Sequence, residues 1–356
     1  MSSRPWRTLG FGVAAAVLLL AGAAGTTLAD AGPHVASINS GATGINADTC
    51  AGCHRAHTAQ GLDLLAAGDD TALCLVCHGS ASAGATTNVI DGILAASAPI
   101  RALKGGGFVN VTMDSSWTAT TGAPAASRPA TSWHAYEASV TGTMWGNGAI
   151  GSGPGKSGVA LVCIDCHNPH GSGTYRILRP IPTGSDASTG VQVTDQATKV
   201  YTVSSSVNRY FGEVYDITGV YDWTWYYQLD SWCGQCHTRY PTADSGTGHT
   251  PSGDPIFAYR HMTEYQWDID CAACHPGTPG NMSAQNWFGI DYRTAHESPC
   301  QNCHVAHGSS ASMGTYSGAV AWPNGATAPN GDERSSLLRL DNRGVCVGCH
   351  GSPGLR

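Results

Sequence analysis

The fourteen cysteines of this 356-residue chain fall into seven pairs of one spacing. They are Cys50 with Cys53, Cys74 with Cys77, Cys163 with Cys166, Cys233 with Cys236, Cys271 with Cys274, Cys300 with Cys303 and Cys346 with Cys349. Every pair reads C-x-x-C, and a histidine follows each second cysteine: His54, His78, His167, His237, His275, His304 and His350. Two thiols at this spacing can form thioethers to the two vinyl groups of one porphyrin. The adjacent imidazole then turns under the ring as the proximal iron ligand. Zinc sites built from such pairs do not demand a histidine after each second cysteine, and thioredoxin-type motifs occur singly in a βαβ context. Seven disulfides would not require the regular pairing. The spacing predicts seven covalently attached haem c groups.

Seven of the 15 histidines are then proximal ligands, which leaves His34, His57, His134, His170, His249, His261, His296 and His307. Seven six-coordinate irons need seven distal ligands, so the count predicts bis-histidine ligation with one histidine spare. His249, in the stretch S-G-T-G-H-T-P-S-G, is the expected spare. His57, His170 and His307 each end a C-x-x-C-H-x-x-H string. A histidine three residues beyond a proximal ligand lies on that ligand's side of the porphyrin, so these three are expected to serve other haems. His34, His134, His261 and His296 precede the next cysteine pair by 16, 29, 10 and 4 residues and complete the set of distal candidates. Methionine is not needed as a ligand, and no C-x-x-C-K variant of the kind used at catalytic haems occurs. With no iron left open, electron transfer is expected and enzymatic catalysis is not.

The elements that must position these residues are sparse. Glycine occurs 46 times and phenylalanine only 5 times, so an ordinary aliphatic core with long helices is not expected. The reading is a mostly irregular chain with short helices at the haem motifs and a few strands, wrapped as a sheath around the haems. Val191 to Val207 and Tyr210 to Leu229 are expected as strands for their β-branched and aromatic content, Tyr221 to Tyr227 included. The string G-S-G-P-G-K-S-G at 151–158 resembles a phosphate loop but has Ile150 where the first glycine is required, so it reads as a turn.

Residues 1–31 read as a secretory signal peptide, with Arg4 and Arg7 before an apolar stretch from Leu9 to Leu20 and cleavage after Ala29 or Ala31. Residues 32–356 are expected as a single heptahaem domain without a membrane span. A net charge of −7 with only three lysines gives no support for nucleic-acid binding.

The strings C-A-G-C-H-R-A-H-T-A-Q-G, C-H-N-P-H-G-S-G-T-Y-R-I-L-R, C-H-V-A-H-G and N-R-G-V-C-V-G-C-H resemble the multihaem cytochromes with doubled C-x-x-C-H motifs. These occur on the outer surfaces of metal-reducing microbes, and several polymerise into extracellular filaments, or nanowires. The resemblance implies a continuous row of parallel-stacked and T-shaped haem pairs, and a distal histidine that can come from the adjoining subunit. Known filament types carry four, six or eight haems, so seven is a departure. The expected function is extracellular electron transfer, with redox-partner cytochromes and an extracellular acceptor. Self-assembly through an intersubunit bond from His34, near the mature N-terminus, is part of that expectation. A monomeric periplasmic or outer-surface carrier is the alternative, and a multihaem oxidoreductase ranks behind both.

Overall fold

The computed structural model describes residues 34, 47–79, 85, 87–94, 101–103, 105–112, 127–171, 174–193, 201–203, 213–215, 223–241, 251–254, 260, 300–311, 322, 326 and 336–338. The segment 1–31, expected as a signal peptide, lies outside these residues. So do two of the expected attachment motifs, Cys271 and Cys274 with His275, and Cys346 and Cys349 with His350. The candidates His249, His261 and His296 also lie outside them.

Five cysteine pairs are described, and each sits at a helix. α1 (Ala47–Cys53) carries the first pair, α2 (Asp70–His78) the second, α3 (Cys163–Cys166) the third, α4 (Trp223–Gly234) begins the fourth and α5 (Cys300–Cys303) holds another. The helices are short because each needs only one or two turns to bring a C-x-x-C pair and its histidine together. Local capping sets where they start. The Asp69 carboxylate accepts from the Ala72 amide at 2.7 Å and opens α2. The Asp165 carboxylate accepts from the Val162 amide at 2.8 Å and opens α3.

Strands fill the connections. β1 (Thr87–Asn88), β2 (Ile93–Leu94) and β3 (Arg101–Ala102) form an antiparallel three-stranded sheet in sequence order. β4 (Asn110–Thr112) pairs with β5 (Ser127–Pro129), and β7 (Thr141–Trp145) pairs with β8 (Gly155–Ala160). β6 (Ser132–Trp133) pairs across a long stretch of sequence with β11 (Gly308–Ser309). The approach there is close: a side chain on Gly106, which has φ +73°, would run into the Gly308 carbonyl.

β9 (Tyr201–Val203) and β10 (Glu213–Tyr215) pair antiparallel inside the two segments expected as strands. The second expectation fails beyond that point, because Trp223 to Leu229 is helical, not extended. α4 runs on into the fourth cysteine pair, and Leu229, Trp232 and Cys233 fall on one face at helical spacing. That face packs on Leu178 and Val193. This is a small core. The buried apolar residues among those described are scattered, while Leu62 and Val76 are 88% and 60% exposed. The phosphate-loop lookalike is part of the β7–β8 hairpin, and Lys156 Nζ lies 3.3 Å from the Asp186 carboxylate. Among the described residues no helix is long and apolar enough to cross a membrane.

Candidate haem sites

Three of the described motifs share a construction that reaches beyond the cysteines and histidine. After each C-H-x-x-H comes a tripeptide: Asp63-Leu64-Leu65, Arg176-Ile177-Leu178 or Ser336-Leu337-Leu338. Its first two residues have positive φ, and these six are the non-glycine residues with that geometry among those described. The first carbonyl accepts from the proximal histidine Nδ1: His54 to Asp63 at 2.8 Å, His167 to Arg176 at 2.9 Å and His304 to Ser336 at 3.0 Å. The second carbonyl accepts the amide that follows the histidine, from Arg55, Asn168 and Val305 at 2.7, 2.7 and 2.9 Å. The third residue bridges back to the histidine as an isolated β-pair. A left-handed non-glycine residue costs roughly 1–2 kcal/mol. Six of them in three equivalent places mark a turn held by the bonds it makes. Its effect is to leave Nδ1 protonated and Nε2 free for a metal.

The sequence reading missed this turn. The tripeptide has little composition of its own. Its spacing from the histidine is 9 residues in the first two cases and 32 in the third, which hides the recurrence.

The other two described proximal histidines take their Nδ1 partners from strands. His78 bonds Thr87 Oγ1 in β1 at 2.8 Å, and His237 bonds the Trp145 carbonyl at the end of β7 at 2.6 Å. The long connection from Gly79 to Ala160 thus supplies parts of two sites.

Proximal and distal candidates meet in four pairs. His34 and His78 have ring centroids 6.0 Å apart with planes at 21°, and His54 and His170 are 6.2 Å apart at 16°. His134 and His237 are 6.3 Å apart at 51°, and His167 and His307 are 6.4 Å apart at 57°. An iron bound through Nε2 on both sides, at roughly 2 Å each, holds two imidazole centroids about 6 Å apart. The four pairs fit such an axis. Among the described residues no three His, Cys, Asp or Glu side chains converge as a zinc cage would require. Neither His170 nor His307 faces the proximal histidine of its own motif. His34, expected as an arm toward another subunit, faces His78 of its own chain. His57 is exposed, and none of the described histidine rings faces it.

Two distal rings are held by the loops that carry the others. The Pro169 carbonyl, next to His170, accepts from His34 Nδ1 at 3.1 Å. The Ala306 carbonyl, next to His307, accepts from His134 Nδ1 at 2.5 Å. Gly105 gives His307 its room, since a Cβ there would lie 2.9 Å from the His307 Nδ1. Phe108 stacks on the same ring at 4.8 Å and lines an apolar recess of about 390 Å³ with Trp133 and Tyr136.

Electrostatics favour neutral imidazoles. Burial pushes His237 down to about 4 and His307 down to about 3, with a neighbouring histidine adding to each. Burial also lowers His78, His134 and His167. A neutral ring at neutral pH keeps the lone pair that a metal requires.

None of the ten described cysteines forms a disulfide, so within each of these pairs both thiols remain for a porphyrin. The Cys74 and Cys163 side chains are in hydrogen-bond contact, and so are those of Cys233 and Cys300. Cys77, one helical turn along α2 from Cys74, is half-buried. Burial, with Cys77 and Cys50 nearby, pushes the Cys53 thiol up, so the first two attachment motifs adjoin. The cysteines thus bring neighbouring sites together. For Cys274 and Cys349, with Cys271 and Cys346, the attachment role rests on the motif spacing, since all four lie outside the described residues. Beside His237, Arg239 and Asp254 form an ion pair at 3.4 Å with each side chain only 1% exposed. Arg239 also donates to the Gly153 carbonyl at 2.7 Å, which ties the β7–β8 hairpin to the fourth motif.

No curated protein and no solved structure matches the chain. Residues 43–83 match the family model described as the doubled CXXCH motif, a span that holds α1, the first left-handed turn and α2. The paired attachment motifs of this span indicate a multihaem c-type cytochrome.

Proposed function

We propose that this chain is an extracellular electron conduit, a polypeptide sheath around a row of seven haems that polymerises through a histidine given by one copy to the next. When bound, each haem supplies a one-electron iron couple. The chain's residues hold, orient and space those groups. Facing histidines at four sites leave no axial position for a substrate, which favours electron transfer over catalysis. The sulfur contacts between Cys74 and Cys163 and between Cys233 and Cys300 favour close approach of successive haems. The exposed Leu62 and Val76, next to attachment motifs, suit a chain whose apolar partner is porphyrin. The N-terminal segment is read as the export signal, consistent with a site of action outside the cytoplasm.

One observation carries the filament reading, and it is the stepwise exchange of loops. Loop 167–170 places His170 opposite His54, and its Pro169 carbonyl holds His34 opposite His78. Loop 304–307 places His307 opposite His167, and its Ala306 carbonyl holds His134 opposite His237. Each loop therefore completes the two sites of the module before it. Loop 54–57 has the same build, with His57 exposed. A second copy of the chain supplies the haem that His57 completes. His57, not His34, is then the intersubunit ligand. Contacts of this head-to-tail kind are heterologous and propagate into an open filament.

Cryo-electron microscopy of material sheared from the cell surface tests the reading. Filaments are expected from the native chain, and His57→Ala should leave haem-loaded protein that does not polymerise. Monomers alone from the native chain would sink the filament and leave a soluble carrier.

A further inference from the structure

The five described proximal histidines differ in what holds Nδ1. His54, His167, His237 and His304 donate to main-chain carbonyls. His78 meets a side chain, the Thr87 hydroxyl, at 2.8 Å. The difference is chemical. With iron on Nε2, Nδ1 carries the proton and donates it, and a stronger acceptor makes the imidazole a more basic ligand. Ligand basicity is one of the protein's levers on haem potential. A side-chain hydroxyl, unlike a main-chain carbonyl, can be removed by a substitution.

We propose that Thr87 is a positioning residue whose hydroxyl, accepting from His78 Nδ1, holds the potential of the haem attached at Cys74 and Cys77 below the value His78 would give without it. The inference rests on the haem motif within the matched span 43–83 and does not need the filament. The main chain around Thr87 is secured without its hydroxyl. Thr87 pairs with Leu94 in the sheet, and the Val89 amide donates to the His78 carbonyl at 2.8 Å. The Thr87 carbonyl also faces the ring and persists in every variant, so the hydroxyl can be tested by itself. Valine keeps the β-branched shape and removes the acceptor.

The test is a spectroelectrochemical titration of the haem-loaded full chain. Thr87→Val is expected to move one haem's share of the absorbance change to higher potential, with haem content and the low-spin spectrum unchanged. Thr87→Ser, which keeps the hydroxyl, should titrate like the native chain. Thr87→Asp, a stronger acceptor, should move the same share to lower potential, and it decides the matter if the valine variant does not load haem. No shift in either Thr87→Val or Thr87→Asp, or a downward shift in Thr87→Val, overturns the proposal.

Discussion

A single imidazole decides whether a site here conducts or binds a gas. His170 faces His54 across 6.2 Å with planes at 16°, and removing it leaves that axis with one ligand. His170→Ala is therefore expected to convert one haem to a high-spin, carbon-monoxide-binding form, whereas the native spectrum is expected not to respond to the gas. A low-spin spectrum in the variant would mean that some other residue is the ligand. The residue scale is also where the sequence is most legible. Cysteine pairs and proximal histidines are contiguous strings, so no folding is needed to read them. The distal set is half legible. A histidine three residues past a proximal ligand cannot round the same porphyrin, which can be argued from spacing. That His307 faces His167, and not another ring, depends on β6 pairing with β11 across about half of the chain.

At the scale of elements, the left-handed turn is the part that pattern reading could not supply. Leucine and isoleucine at positive φ violate the local preference that such reading relies on. The turn survives because three kinds of bond converge on it, and these are visible only after folding. Leu64 separates strain from function, since it is 54% exposed with φ +59°. Leu64→Gly accepts the left-handed geometry and is expected to stay within about 1 kcal/mol of the native stability. Leu64→Pro cannot accept it, because proline holds φ near −65°. It should lose about 2 kcal/mol or more and free His54 from the Asp63 carbonyl, as judged by denaturant midpoints of the haem-loaded protein. Equal midpoints for the two variants would rule out the clamp. The misread stretch at Trp223 to Leu229 has a related cause. Its aromatics favour strand locally, but the continuation into Leu229, Trp232 and Cys233 buries a helical face against Leu178.

At the scale of the whole molecule, the described residues show little side-chain packing. Only Leu178, Val193 and Leu229 of the buried apolar residues described form a cluster, the others are scattered, and large apolar side chains such as Leu62 stay exposed. A chain whose every attachment cysteine is replaced by serine is expected to be largely unfolded. Circular dichroism matching the native protein would show that the polypeptide carries its own fold. The backward reach of the loops bears on how such a molecule is made. If the chain is exported N-terminus first, cysteines 50 to 77 would emerge before residues 167–170 do. A haem site built on them would lack His170, and the Pro169 carbonyl that holds His34, until a loop made about a hundred residues later arrives. Maturation then advances in one direction while each step of completion runs in the other. An interruption anywhere leaves the youngest sites attached but unfinished, and these are the ones exposed to stray ligands and oxygen. Loop order along the chain would in this sense be a schedule for assembly.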